Sequence, residues 1–353
     1  MARNIVVTGE AGTGKTMVAL AIAMGLRAKG KKVGYFKPAG EKSFKRSKDG
    51  MSIDEDAAIM KDVLGLEADA GSICPIPQSH TSFDELAKIG TADLKAKIQE
   101  SYDEVSRGMD VVIIEGTRDP WQLLHVNLST PQIAQMMEAR VLCLVNFTEL
   151  SATDNILHLK SFFNQHGIAS MGVVLTMVPP MLKNTIQNEI PKFMEEHEIG
   201  FCGAIYHRRE LFNPTIRDIL RALDGEMIVG DDKLDHLIDQ FLIGSMLPEN
   251  ALKWFRRARD SAVITGGDRA DLCLAAMETD VALLILTGGL GPDIRTISRA
   301  KETGVPILMT AHDTYATGRI VDGLIGTVSA ENKRKIKTIE KIVGEALDFA
   351  CLS

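Results

Sequence analysis

Short apolar runs rich in β-branched residues alternate along the chain with longer segments in which apolar positions recur every three or four residues. The first pattern suits buried strands and the second suits amphipathic helices. The runs predict strands at 4–8 (NIVVT), 33–37 (VGYFK), 110–115 (DVVIIE), 141–147 (VLCLVNF), 170–176 (SMGVVLT) and 200–206 (GFCGAIY). Between them the spacing predicts helices near 14–29, 54–64, 91–107, 131–139, 151–166 and 183–197. Strands this continuously apolar are covered on both faces, so the alternation predicts a doubly wound parallel α/β sheet.

The rhythm breaks at HRRELFNPTIRDILRALDGE (207–226), where Asn213-Pro214 marks a turn before a short helix. A smaller α/β alternation follows, with strands at 261–265, 281–286 and 306–310 and helices at 268–278, 293–303 and 315–322. The expected division is a first domain over 1–208, a second over 209–328, and a C-terminal helix over 329–353 that packs or joins an interface through its apolar stripe. A solvated turn is the plain reading of His207, Arg208 and Arg209, with phosphate or base contact as the alternative. The Lys- and Ser-rich stretch 40–50 reads as a solvated loop, or as one that closes over an anionic ligand.

Composition narrows the function classes. A length of 353 residues suits two cores, and 45% hydrophobic with 25% charged residues is ordinary for a globular protein. The net charge of -7 argues against a nucleic-acid binder, which needs a basic face, and favours a small-molecule partner. No apolar run reaches the roughly 18 residues that span a bilayer, and the N-terminus leads directly into a strand, so a cytoplasmic location away from membranes is expected. Five scattered cysteines, with no C-x-x-C pair, argue against a zinc site and a disulfide framework, and Cys143 and Cys273 read as buried thiols.

The candidate chemistry begins at GEAGTGKT, residues 9–16, which fits G-x-x-x-x-G-K-[ST] between a strand and an alanine-rich helix. In that setting the backbone of Gly9, Glu10, Ala11, Gly12, Thr13, Gly14, Lys15 and Thr16 cradles nucleotide phosphates. Lys15 reaches the β- and γ-oxygens, and the Thr16 hydroxyl ligates Mg²⁺. Mg²⁺ takes oxygen ligands, so carboxylates near the loop are expected. Glu115 closes its strand and is followed by Gly116, which allows close approach to the phosphates. Asp54 and Asp56 open a helix, where they read equally well as helix caps. Lys37 leaves a strand at the edge where open α/β sheets bind ligands, positioned to stabilise a transferring phosphoryl group.

GEAGTGKT, YFKP, DEDA and VIIEG, in that order over roughly 1–206, resemble dethiobiotin synthetase and the related cobyrinate synthetases. The resemblance implies Lys15 and Lys37 as catalytic lysines, Thr16, Asp56 and Glu115 as metal ligands, ATP and Mg²⁺ as cofactors, and a homodimer. In that family ATP phosphorylates a carboxyl-like group. A longer resemblance covers nearly the whole chain: the N-terminal region of long bacterial phosphate acetyltransferases joins such a P-loop domain to a DRTGG domain. NPTIRDILRAL, the long stretch from IGSMLPENALKWF to LTGGLGPD, and VPILMTAHDTYAT correspond to the DRTGG part. The resemblance stops where the acetyltransferase domain would begin, so that activity is not expected. Glu10 stands where the partitioning ATPases carry an extra lysine, LTMVPP (175–180) replaces the adenine-reading segment, and EGTRDP lacks the glycines of the biotin enzyme.

TGGDRAD (265–271) and TGGLGPD (287–293) each link a strand to a helix. They read either as tight turns or as a second anion site formed by Gly266, Gly267, Asp268, Arg269, Gly288 and Gly289, with Asp313 and Tyr315. The DRTGG resemblance implies a regulatory module there. Three functions stay open at this stage: ATP-dependent phosphoryl transfer to a small carboxylate or carbamate, a nucleotide sensor acting on a partner such as an acyltransferase, and dethiobiotin synthesis.

Overall fold

The computed structural model describes residues 2–40, 45–46, 52–76, 89–147 and 151–351, so most of the Lys- and Ser-rich stretch 40–50 lies outside the described residues. These residues form two compact units, 1–207 with 328–353, and 208–327.

In the first unit six strands form one parallel sheet. They are β1 (Arg3–Gly9), β2 (Val33–Phe36), β3 (Val111–Glu115), β4 (Arg140–Asn146), β5 (Met171–Val178) and β6 (Gly200–Tyr206), in the order β2-β3-β1-β4-β5-β6. Helices α1 (Lys15–Ala28), α2 (Glu55–Leu64), α3 (Thr91–Ser106), α4 (Thr130–Met136), α5 (Ala152–Gln165), α6 (Lys183–Asn188) and α7 (Ile190–Glu196) connect them. Each predicted strand of this unit is present to within two residues. The segment predicted as one helix over 183–197 is two, since Pro191 has no amide to continue α6 and instead starts α7. β1 lies between β3 and β4, so the chain reverses direction across the sheet at its C-terminal edge, where such folds open a crevice. Ile5, Val6 and Val7 on β1, and Val112, Ile113 and Ile114 on β3, are all buried, which is the condition of a sheet covered on both faces.

The second unit has five strands: β7 (Glu226–Val229), β8 (Gln240–Ile243), β9 (Ser261–Gly266), β10 (Val281–Thr287) and β11 (Ile307–Met309). Their order is β8-β9-β10-β11-β7, with β7 antiparallel to β11, so this sheet is mixed. Helices α8 (Ile216–Ala222), α9 (Pro248–Phe255), α10 (Ala270–Ala276), α11 (Ile294–Thr303) and α12 (Thr314–Asp322) complete it. Its core has two sides, one around Leu272, Leu284 and Ile307 and the other around Ile219, Ile264 and Ile285.

The last helix, α13 (Lys333–Ala346), belongs to the first unit and packs against α1 and β6 through Ile336, Ile339 and Val343. Beyond it, the Lys29 ammonium sits 4.3 Å from the Phe349 ring centroid. Cys351 forms a disulfide with Cys202 on β6, with 5.5 Å between their Cα atoms. This corrects the expectation drawn from cysteine spacing. The partners are 149 residues apart, and the sulfurs sit in space left by Gly172, where a Cβ would strike Cys202 Sγ. Cys74, Cys143 and Cys273 are free and buried, and burial pushes the Cys143 and Cys273 thiols up to about 12. Without reductant, Cys351→Ser is expected to lose about 2–4 kcal/mol of stability. Adding reductant should bring the melting temperature of the wild type down to that of the variant.

Candidate functional site

The site is built on the C-terminal ends of β1, β3 and β2. Gly9 ends β1 with φ 151°, and a Cβ there would collide with the Leu144 carbonyl oxygen. Gly14, at φ 83°, occupies the left-handed conformation that turns the chain into α1. Between them the loop wraps back on itself, with the Thr13 hydroxyl donating to the Glu10 carbonyl at 2.8 Å. The Lys15 ammonium lies over this loop and donates to the carbonyls of Gly9 (3.2 Å), Glu10 (3.1 Å) and Arg118 (2.8 Å). These bonds hold the lysine folded onto the loop whose phosphates it would meet.

Beside the loop, residues from four elements converge. Pairing of β1 with β3 sets Val7 opposite Glu115, and the Thr16 hydroxyl donates to Glu115 Oε1 at 2.9 Å. The Tyr35 hydroxyl from β2 donates to Glu115 Oε2 at 2.8 Å. Lys37, just past β2, is fully buried, and its ammonium is ion-paired with Asp56, with Asp54 at 3.4 Å and with Glu115 at 3.6 Å. One cation thus faces three carboxylates, so the cluster carries an excess of negative charge. The sequence left Asp54 and Asp56 open between capping and function, and in the structure both lie against Lys37. Asp54 is buried and caps α2 by accepting from the Ala57 amide at 3.0 Å, whereas Asp56 is 32% exposed and meets Lys37. Tyr35 was not legible as a site residue, because its part depends on the register that brings β2 beside β3.

Burial pushes the Glu115 carboxyl up to about 7, with Asp56 adding to the shift and Lys37 opposing it. Burial and the Glu115 charge together push the Tyr35 phenol well above its ordinary value. Thr16, Glu115 and Asp56 offer only oxygen donors, which suits Mg²⁺. Among the described residues no group of three or more His, Cys, Asp or Glu side chains is arranged to hold a metal by itself.

Gly116 follows Glu115 at the end of β3. Its amide donates to the Val7 carbonyl at 2.9 Å, and a Cβ there would press on the Thr8 and Thr130 hydroxyls. In the second unit the glycine-rich turns do meet at one sheet edge, but their amides are engaged. The amides of Gly267, Gly288 and Gly289 donate to the carbonyls of Thr287, His312 and Thr310. Gly266 ends β9, and Asp268 follows in the turn. Arg269 is bound to Asp271, Asp313 caps α12, and the Tyr315 side chain is exposed. A cavity of about 610 Å³ lies at the opposite edge, where Lys233, His236, Arg259 and Asp260 surround the start of β10.

A family model described as an AAA domain matches residues 3–215, more than half of the chain. The protein belongs to this family. A second model, the DRTGG domain, matches residues 218–324 of the same AAA-domain protein. The phosphate acetyltransferase of Nitratidesulfovibrio vulgaris is 26% identical over 96% of this chain and 49% of its own length. That of Synechocystis is 24% identical over 94% of this chain and 48% of its own. The chain therefore spans about half the length of these curated relatives. Among solved structures, the Pyrococcus furiosus cell division ATPase MinD is 18% identical with TM-score 0.38, covering 60% of this chain and 86% of that one. The CBS and DRTGG domains of a Clostridium perfringens pyrophosphatase, solved with the activator diadenosine tetraphosphate, are 20% identical with TM-score 0.28, covering 43% and 73%. The AAA-domain protein thus carries a P-loop nucleotide-binding fold followed by a DRTGG domain, with no described helix long and apolar enough to cross a membrane.

Proposed function

We propose that the first unit binds Mg-ATP and transfers its terminal phosphoryl group to a small carboxylate or carbamate. The observation that carries this reading is the Lys37 cluster. Binding phosphates needs the loop and Lys15 alone, whereas a fully buried lysine facing three carboxylates beside the loop concentrates charge at one point. Thr16, Glu115 and Asp56 would hold Mg²⁺, which when bound neutralises charge on the phosphate oxygens. Lys15 would lie along the β- and γ-oxygens. Lys37, released from Asp56 as that carboxylate turns to the metal, would face the phosphoryl group as charge builds on it. The acceptor oxygen forms the new bond to phosphorus while the bond to the ADP oxygen breaks. A homodimer is part of this reading, because the dethiobiotin synthetases that the chain resembles complete their substrate sites across subunits. The DRTGG domain would report a small-molecule effector to the first unit.

The test is phosphate release from Mg-ATP at near-stoichiometric protein, with and without small carboxylates and bicarbonate. Release that rises with an acceptor and is lost in Lys37→Ala supports transfer. Tight binding with no release under any acceptor would move the assignment to a nucleotide sensor. That second reading is favoured by one observation, the hold of Arg118 and Asp119 on the phosphate loop. Formation of a cyclic urea from 7,8-diaminopelargonate, bicarbonate and ATP would instead mean dethiobiotin synthesis.

The Glu115 carboxyl also predicts a pH effect. Below about 7 it carries a proton that Mg²⁺ must displace. Magnesium-dependent nucleotide binding is therefore expected to weaken by about tenfold per pH unit on the acid side. Titrations at pH 6 and pH 8 check this, and equal Mg²⁺ dependence at both would remove Glu115 from the metal.

A further inference from the structure

The stretch Thr117-Arg118-Asp119-Pro120 follows Glu115 and touches the phosphate loop at two points. Asp119 Oδ1 accepts from the Ala11 amide at 3.0 Å, and the Arg118 carbonyl accepts from the Lys15 ammonium at 2.8 Å. Both donors are groups that a P-loop turns toward phosphate. In a loaded loop these two donors would serve phosphate oxygens, which the Asp119 carboxylate and the Arg118 carbonyl would then have to yield to.

The stretch is firmly positioned. The Thr117 hydroxyl donates to the Asp119 carbonyl at 2.8 Å, the Thr130 amide donates to the Pro120 carbonyl at 3.0 Å, and the Arg118 amide donates to Gln122 Oε1 at 3.1 Å. The Arg118 guanidinium lies 3.8 Å from Asp119 Oδ2 and is 56% exposed. Lys15 serves the β- and γ-oxygens, so these contacts lie at the terminal-phosphate end of the cradle.

We propose that Asp119 is an internal competitor for the terminal phosphate and sets the preference of this site between nucleoside diphosphate and triphosphate. This rests on the nucleotide reading given above. A triphosphate must turn the Asp119 carboxylate off the Ala11 amide and draw Lys15 from the Arg118 carbonyl. A diphosphate leaves more of that end to Asp119. Like-charge repulsion between the carboxylate and the γ-phosphate adds to the bias. Once the carboxylate swings away, the Arg118 guanidinium loses its partner and is placed to pair with the incoming phosphate. The exchange makes Asp119 and Arg118 opposed residues: one holds the terminal position closed, and the other supports it when filled.

The test compares dissociation constants for Mg-ATP and Mg-ADP in the full chain, for wild type, Asp119→Asn, Asp119→Ala and Arg118→Ala. Asp119→Asn removes the charge and keeps the shape, while Asp119→Ala removes the acceptor. Both are expected to tighten Mg-ATP by about tenfold, with a smaller change for Mg-ADP, and Arg118→Ala is expected to weaken Mg-ATP. Melting temperatures without nucleotide provide the check that the variants fold. Nucleotide binding with the same ratio of the two constants in wild type and both Asp119 variants would overturn the proposal alone. If neither wild type nor any variant binds either nucleotide, the nucleotide reading falls and this proposal falls with it.

Discussion

Lys37→Met is expected to destabilise the first unit by about 3–5 kcal/mol, the range for removing one member of a buried ionic cluster. Methionine fills a similar volume, so the loss reports charge. Without the ammonium, Asp54, Asp56 and Glu115 face one another with their shared cation gone. The deficit should depend on pH with a definite sign. Glu115 already has its carboxyl raised to about 7 beside Lys37, and removal of the cation that opposes the shift raises it further. A carboxyl raised in the folded state stabilises the fold below its ordinary range and loses that contribution as pH climbs through the folded value. The variant should therefore be weakest above pH 7 and recover toward pH 5. Thermal melts at pH 8 and pH 5.5 measure this, and a variant as stable as wild type at pH 8 would show that Lys37 is not what holds the carboxylates.

Lys15→Ala carries the largest expected functional effect. The wild-type ammonium is held by three carbonyls, which water can satisfy when the side chain is cut, so the fold should survive. Nucleotide would lose two charge-assisted hydrogen bonds, each worth about 1.5–3 kcal/mol. A loss of at least about a hundredfold in Mg-ATP affinity follows, with phosphate release below detection. An unchanged circular dichroism spectrum together with an unchanged dissociation constant would place the nucleotide elsewhere.

The strands of the first unit were legible because each is a continuous apolar run bounded by turn residues. β7 and β8 were not, since EMIV and QFLI are four residues long, stay half-exposed and carry apolar runs of only three residues, too short to tell from a loop or helix edge. The helix α9 escaped for a related reason. Its start at Pro248 follows an exposed stretch, and only Ala251 and Phe255 are buried. Within the candidate site, the loop, Lys37 and Glu115 could be read because each stands at the end of a strand. What Asp54 and Asp56 do separately depends on one residue of helix phase, which sequence alone leaves open. Tyr35, Arg118 and Asp119 reach the candidate site through contacts 80, 103 and 108 residues distant, and no local signal encodes those. The disulfide and the return of α13 to the first unit were hidden in the same way.

Residues 1–207 and 328–353 form one compact unit, and the nucleotide site proposed on it depends on magnesium. Calorimetric titration of the full chain with ATP, in the presence and absence of Mg²⁺ at pH 8, measures this dependence. One nucleotide per chain is expected, tightened by Mg²⁺ in wild type and insensitive to Mg²⁺ in Glu115→Gln. Binding of equal strength with and without the metal in both proteins would contradict it.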